Sequence, residues 1–165
     1  MLTVRKATDA DFDRIMEIYA IAREFMIRNG NPTQWTDGYP QKELVHEDIR
    51  TGICRVICEG ETIRGVFALF EGDDPWYHRI EDGAWLNDAP YVAIHRIASS
   101  GEAHGVFKCA AEHCKALCDN VRIDTHEDNH VMQHLIKKNG FVHCGTVFVV
   151  GNSPRIAFQW TRNDP

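Results

Sequence analysis

The chain has no run approaching the roughly 18 apolar residues of a membrane span, and no charged-then-apolar leader opens it. A soluble cytoplasmic protein without a membrane partner is therefore the expectation. Its six cysteines (Cys54, Cys58, Cys109, Cys114, Cys118, Cys144) include no CxxC pair. His113, Cys114 and Cys118 would need a fourth ligand from elsewhere to hold zinc, so reduced core thiols and no metal are expected. No cysteine lies in a turn that reads as electropositive, which argues against a Cys–His hydrolase. Basic residues are in deficit. The 18 Lys and Arg against 24 Asp and Glu leave a net charge of -6, which argues against nucleic acid and mildly favours a cationic small substrate. No repeat, low-complexity tract or linker divides the 165 residues, so a single domain over 1–165 with its own core is expected.

What is present is an alternation of short apolar strands and amphipathic helices. Leu2–Lys6 reads as a strand, and Thr8 caps a helix with Asp9, Asp11 and Asp13 in its first turn. Phe12, Ile15, Met16, Tyr19, Ala22 and Met26 recur along that helix at its period, until Gly30, Asn31 and Pro32 stop it. A loop bearing Trp35 and Tyr39 leads to a second helix over Gln41–Arg50, then to strands over Ile53–Cys58 and Thr62–Phe70 joined by a Glu-Gly-Glu turn. Gly72–Pro90 has no clear periodicity, and connections of that length are usually functional.

Two later segments carry most of the chemistry. Tyr91–Phe107 reads as a strand, a Gly-bounded turn and a helix start, where unpaired amides can gather around a phosphate. Arg122–Phe141 reads as a strand, a polar turn ending in Asn129, a helix with Val131, Met132, Leu135 and Ile136 inward, and a Gly stop. Strands over Phe141–Val150 and Arg155–Trp160 close the chain, giving an α/β layer fold.

The stretches HRIASSGEAHGVF at His95–Phe107 and DTHEDNHVMQHLIKKNGF at Asp124–Phe141 resemble the GCN5-related N-acetyltransferase (GNAT) superfamily, over essentially the whole chain. DPWYHRIEDGAWLNDAPY and NPTQWTDGYP are similar to a bacterial branch of it. The resemblance implies a mixed, strongly twisted sheet of about six to seven strands flanked by about four helices, its fourth and fifth strands splayed apart. It also implies acetyl-CoA as co-substrate, with the pantetheine arm in the gap along Ile97, Ala98 and Ser99. The pyrophosphate would then rest on the amides of Glu102, Ala103, His104, Gly105, Val106 and Phe107, and Asn129 would hydrogen-bond the cofactor. Two positions depart from the family pattern. Of its phosphate signature only Gly105 fits, with Glu102 at the entry and Phe107 where a small residue is usual; and Ile136 replaces the Tyr that many relatives use as an acid.

The activity so implied is N-acetyl transfer to a primary amine of a small molecule, amino acid or peptide. His95 is the candidate base, read by strand parity as sharing a face with Ile97; a structural histidine is the alternative. Trp35, Tyr39, Trp76 and Tyr77 are candidates for the acceptor wall, as is His126 unless it is a solvated turn residue. Asn129 reads equally as a helix cap. A non-catalytic acyl-CoA-binding module is the competing function, and a homodimer is open.

Overall fold

The computed structural model describes residues 1–162. After β1 (Leu2–Lys6) the chain enters a short 3₁₀ turn that continues as α1 (Phe12–Arg28). Asp11 fixes this start. Its carboxylate accepts from the Thr8 amide at 2.8 Å and from both terminal nitrogens of the Arg5 guanidinium at 2.8 and 3.0 Å. The Arg5 bond is the main cause that holds its pKa below the usual carboxylate value. Ile15, Ile18, Tyr19 and Ala22 form the buried stripe of α1. Then follow α2 (Lys42–Arg50), β2 (Cys54–Glu59) and β3 (Thr62–Glu71).

The segment Gly72–Pro90 is more ordered than its sequence suggests. It holds a 3₁₀ turn at Pro75–Tyr77 and a two-residue strand, β4 (Ile80–Glu81). The remaining elements are β5 (Val92–Ser99), α3 (Val106–Leu117), β6 (Asn120–Thr125), α4 (His130–Lys138), β7 (Val142–Val149) and β8 (Ser153–Thr161). Eight strands form one sheet in the order β1-β2-β3-β5-β6-β8-β7-β4. The count exceeds the expected six to seven because β4 adds itself outside β7 through Ile80 and Glu81. Among the described residues only β5 and β6 run parallel; the other neighbours are antiparallel.

The helices cover the two faces. On one, α1 and α2 pack Ile15, Ile18, Val45 and Ile49 onto Val56, Val66 and Ala98. On the other, α3 and α4 bring Phe107, Ala111 and Ile136 onto Phe67, Ile94, Ile123 and Phe158. Burying a side chain such as Phe107 is worth about 1.5–3 kcal/mol. Of the four α4 residues expected inward, Met132 and Leu135 pack partly buried against that core; Ile136 is fully buried, whereas Val131 is 43% exposed. Five residues separate the two, which turns Val131 about 140° away around the helix. No helix of the described residues is long and apolar enough to cross a membrane.

A third cluster, with Tyr77, Tyr91, Ala93, Val147 and Ala157, lies under the 72–90 segment. Glycines let that segment lie close on β7. A Cβ on Gly83, whose φ is +156°, would stand 1.9 Å from the Cys144 carbonyl oxygen, and one on Gly145 would meet Glu81 O at 2.7 Å. Neither obstacle can swing aside, since both are backbone. Gly83→Ala is therefore expected to destabilise the fold by at least about 2 kcal/mol, read as a lower midpoint in urea.

Candidate functional site

The parallel pairing of β5 with β6 is brief: Val92 faces Val121, Ala93 faces Arg122, and Ile94 faces Ile123. Beyond Ile94 the strands part, so the β5 edge from His95 to Ser99 has no strand partner on that side among the described residues. A bulge sits at the parting point. Ala68 of β3 pairs with His95 and Val66 with Ala98, so Arg96 and Ile97 together oppose Phe67. Arg96 takes the left-handed region at φ 51°, a conformation that costs a side-chain-bearing residue about 1–2 kcal/mol.

Neighbouring groups hold that strained residue. The Arg96 guanidinium donates to both Asp48 oxygens of α2 at 2.9 and 3.0 Å, and the Tyr19 hydroxyl of α1 donates to Arg96 O at 2.9 Å. Burial raises the Asp48 pKa, against the pull of Arg96. The bulge also overturns the parity expectation. His95 lies beside the rings of Phe70 and Tyr77, whereas Ile97 packs against the α3-side core, so the two do not share a face.

A cavity of about 470 Å³ opens where the strands part. Its walls are the ends of β5 and β6, the loop after α1, the start of α4, and the β7–β8 tip. His95 lines it, with Nε2 2.7 Å from Asp74 Oδ2. The other Asp74 oxygen accepts from the Trp76 amide at 3.0 Å, while the Asp74 amide donates to the Tyr91 hydroxyl at 2.8 Å. Burial pushes the Asp74 pKa up, but the bonds from His95 and the Trp76 amide outweigh it and leave it lowered. With Nε2 turned to the carboxylate, Nδ1 is the ring nitrogen left to accept a proton.

The other sequence-predicted residues divide. Trp35, Tyr39 and Trp76 line the cavity, together with Ile97. Tyr77 does not: it is 1% exposed, and its hydroxyl donates to Asp124 at 2.6 Å from behind the wall. His126 also stands outside the lining, where its Nδ1 accepts from the Asp128 amide at 3.0 Å and its Nε2 meets Thr33 Oγ1 at 3.3 Å. It is a turn residue because both ring nitrogens are taken up by the turn and the adjoining loop. Asn129 lines the cavity, yet its Oδ1 caps α4 through Met132 N and its Nδ2 donates to Gln34, both at 3.0 Å. The Ala98 side chain is buried against α1, leaving only its backbone for any ligand.

The turn before α3 is an open cradle. Gly105 occupies the left-handed cap position, and a Cβ on Gly101 or Gly105 would meet nothing within 4 Å. The Gly101 amide donates to Ser99 Oγ at 3.1 Å and the Glu102 amide to Ser100 Oγ at 3.2 Å. Glu102 thus drops out of the expected amide set, its donor already used. The amides of Ala103, His104, Gly105, Val106 and Phe107 have no acceptor among the described residues. The Glu102 carboxylate is neutralised by Arg14 at 2.8 Å and Arg64 at 3.1 Å, and the Arg14 bond chiefly lowers its pKa. Phe107 turns into the core against Phe141, so its bulk does not face the turn.

Sequence reading counted Asp74 only among the acids of the 72–90 loop and missed its pairing with His95, and it missed the Asp48–Arg96 pair and Arg155 altogether. Asp74 before Pro75 carries a turn signal that could have marked it. The others depend on long-range pairing and leave no local trace.

Asp48→Ala leaves a buried guanidinium without its partner, and a loss of roughly 3–5 kcal/mol in urea denaturation is expected. Asp74 gives a pH signature. Its folded pKa lies below the ordinary 3.8, so its stabilisation is present above that value and disappears as pH falls through the lower folded value. Asp74→Asn should therefore lower stability at neutral pH and flatten the acid limb of a stability–pH curve below about pH 4.

The overall fold that carries this parted pair and open cradle has counterparts among solved structures. A GNAT-family acetyltransferase from Streptococcus agalactiae 2603 is 30% identical, with a TM-score of 0.89, over 99% of this chain and 96% of that one. One from Listeria monocytogenes 4b F2365 matches at 19% identity and TM-score 0.71, over 97% and 94% of the two chains. Arabidopsis thaliana Naa50, in complex with the bisubstrate analogue CoA-Ac-MVNAL, shares the fold at 13% identity and TM-score 0.61, over 97% and 98%. No family model and no curated protein matches the chain. Identity of that degree along nearly the full length of both chains, on the same architecture, places this chain in the GNAT family of acetyltransferases.

Proposed function

We propose that the protein is an acetyl-CoA-dependent N-acetyltransferase acting on a primary amine of a small molecule, amino acid or peptide, by direct attack in a ternary complex. The observation that carries this reading is the unpaired β5 edge from His95 to Ser99, opening into a cavity that also holds the His95–Asp74 pair. A strand edge without a partner suits the amide groups of a pantetheine arm, which pair as another strand would. The open amides of Ala103 to Phe107 suit its pyrophosphate, since they point unpaired from a helix N-terminus. The Arabidopsis neighbour, held with the bisubstrate analogue CoA-Ac-MVNAL, supports acetyl-CoA and a peptide or amine acceptor as the ligand classes.

Acetyl-CoA supplies the acetyl group as a thioester. The protein's first contribution is alignment, because the parted strands bring both reactants into one cleft. Its second is a backbone donor on the β5 edge near Ile97 for the oxygen that gains charge at the carbonyl. Its third is His95, oriented by Asp74, which accepts the amine proton on Nδ1. Ile136, at the position where the family resemblance implies a Tyr acid, is fully buried in the α3-side core. A thiol of ordinary pKa near 8.5 departs as an anion without one.

Ile136 also favours a second reading, a binding module without turnover. Thiol release from acetyl-CoA with a pooled panel of amines separates the two: CoA affinity with no thiol released across the panel supports the module. On the enzymatic reading, His95→Ala lowers kcat by about 10² to 10⁴ while acetyl-CoA affinity by calorimetry changes little. Unchanged kcat across pH would remove His95 from the chemistry.

A further inference from the structure

Among the buried arginines, Arg155 differs in what it faces. Arg96 is paired with Asp48, and Arg122 lies between the rings of Trp85 and Tyr91, 4.2 and 4.0 Å from their centroids. Arg155, 8% exposed, has no carboxylate within ion-pair distance and no ring over it among the described residues. Its donors go to neutral oxygens only: Ser153 Oγ, the Pro154 carbonyl and, at 3.4 Å, the Gln34 carbonyl. It lines the cavity. Burial lowers its pKa and the charge of Asp124 works the other way, yet the two form no ion pair. A charge taken out of water without a counter-charge is costly, and such charges are normally paired.

The cavity holds the complementary group. Asp124 lines it and accepts from the neutral Tyr77 hydroxyl at 2.6 Å, with no cation within 4 Å among the described residues. In the β6–β8 register Asp124 faces Ala157, so Arg155 is two residues along on the same face of the sheet. Diagonal neighbours of that kind are about 7–8 Å apart along the sheet, and both residues line the one cavity, so a single small ligand lying over that face meets both. Asp124 is also on the strand end beside His95, while Arg155 is a strand farther off. An amine at Asp124 would therefore sit at the chemistry, with its carboxylate pointing away from it.

We infer that the acceptor is a free amino acid whose carboxylate is held by Arg155 and whose amine is directed to Asp124 and His95. This rests on the acetyl-transfer reading. A peptide N-terminus fits poorly, because its α-carboxyl is an amide and leaves the guanidinium unmatched.

The test is calorimetry on CoA-saturated protein with the free proteinogenic L-amino acids, their carboxamides and matching dipeptides, while thiol release from acetyl-CoA is followed separately. At least one free acid should bind about tenfold or more tightly than its carboxamide and its dipeptide, the size expected for a charge-assisted bond. In Arg155→Gln that preference should shrink to within about twofold. The comparison on the unaltered protein stands even where the variant folds poorly. Carboxamides or dipeptides binding as well as the acids, or no acid binding at all, overturns the inference. Acid-selective binding without thiol release supports the Arg155 clamp and overturns acetyl transfer instead.

Discussion

The site depends on one strained residue and the two groups that hold it. Arg96 sits in the left-handed region within β5, where nothing in the strand itself favours it. It stays there because the Asp48 carboxylate takes its side chain and the Tyr19 hydroxyl takes its carbonyl. An isolated strand would relax into regular pairing. Held from α1 and α2, it keeps the extra residue, and the β5–β6 pairing stops after Ile94. The price of a bulge is thus met by the helical layer, and the return is an edge of backbone donors and acceptors in a cavity.

The same bulge decides which side chains meet. Regular alternation would set His95 and Ile97 on one face; the inserted residue sends Ile97 to the α3 core and leaves His95 on the opposite side. There it meets Asp74, which arrives from the long 72–90 segment. That segment is held by backbone contact at Gly83 and Gly145, by the two-residue strand β4, and by the Trp85 indole donating to Tyr77 O at 2.9 Å. A feature distant from the cavity, the close approach of two backbones, therefore fixes the partner of the candidate base.

Much of this was legible from residue order because it is local. The cap at Thr8 and Asp11, the α3 stripe from Val106 to Cys114, and the Gly-bounded turn at Ser100–Gly105 each follow from the spacing of a few neighbours. The side-chain chemistry of the site was less legible because it is assembled across the chain. Asp48 and Arg96 lie 48 residues apart, and Asp74 and His95 lie 21 apart. Tyr77 and Trp76 are adjacent aromatics with identical sequence surroundings, yet a 3₁₀ turn sends one into the core and the other to the cavity. The parity argument for His95 failed for the same reason: a bulge is a property of two strands, and one strand does not announce it.

Net charge is likewise a coarser guide than local pairing. The excess of acids suggested a cationic acceptor, but what a ligand meets is the charge left after local pairing. Asp48 is cancelled by Arg96 and Glu102 by Arg14 and Arg64, while Arg122 is covered by two rings. Exposed acids beyond about 8–10 Å are largely screened in physiological salt. Inside the cavity the exposed Asp37 lies on the loop after α1, while on the sheet itself Asp124 and Arg155 remain, one of each sign, on neighbouring strands and the same face. A cavity so lined offers a simple cation no counterpart for the guanidinium and a simple anion none for the carboxylate. A small molecule carrying both charges satisfies both, and it does so with its amine at the end where β5 and β6 part.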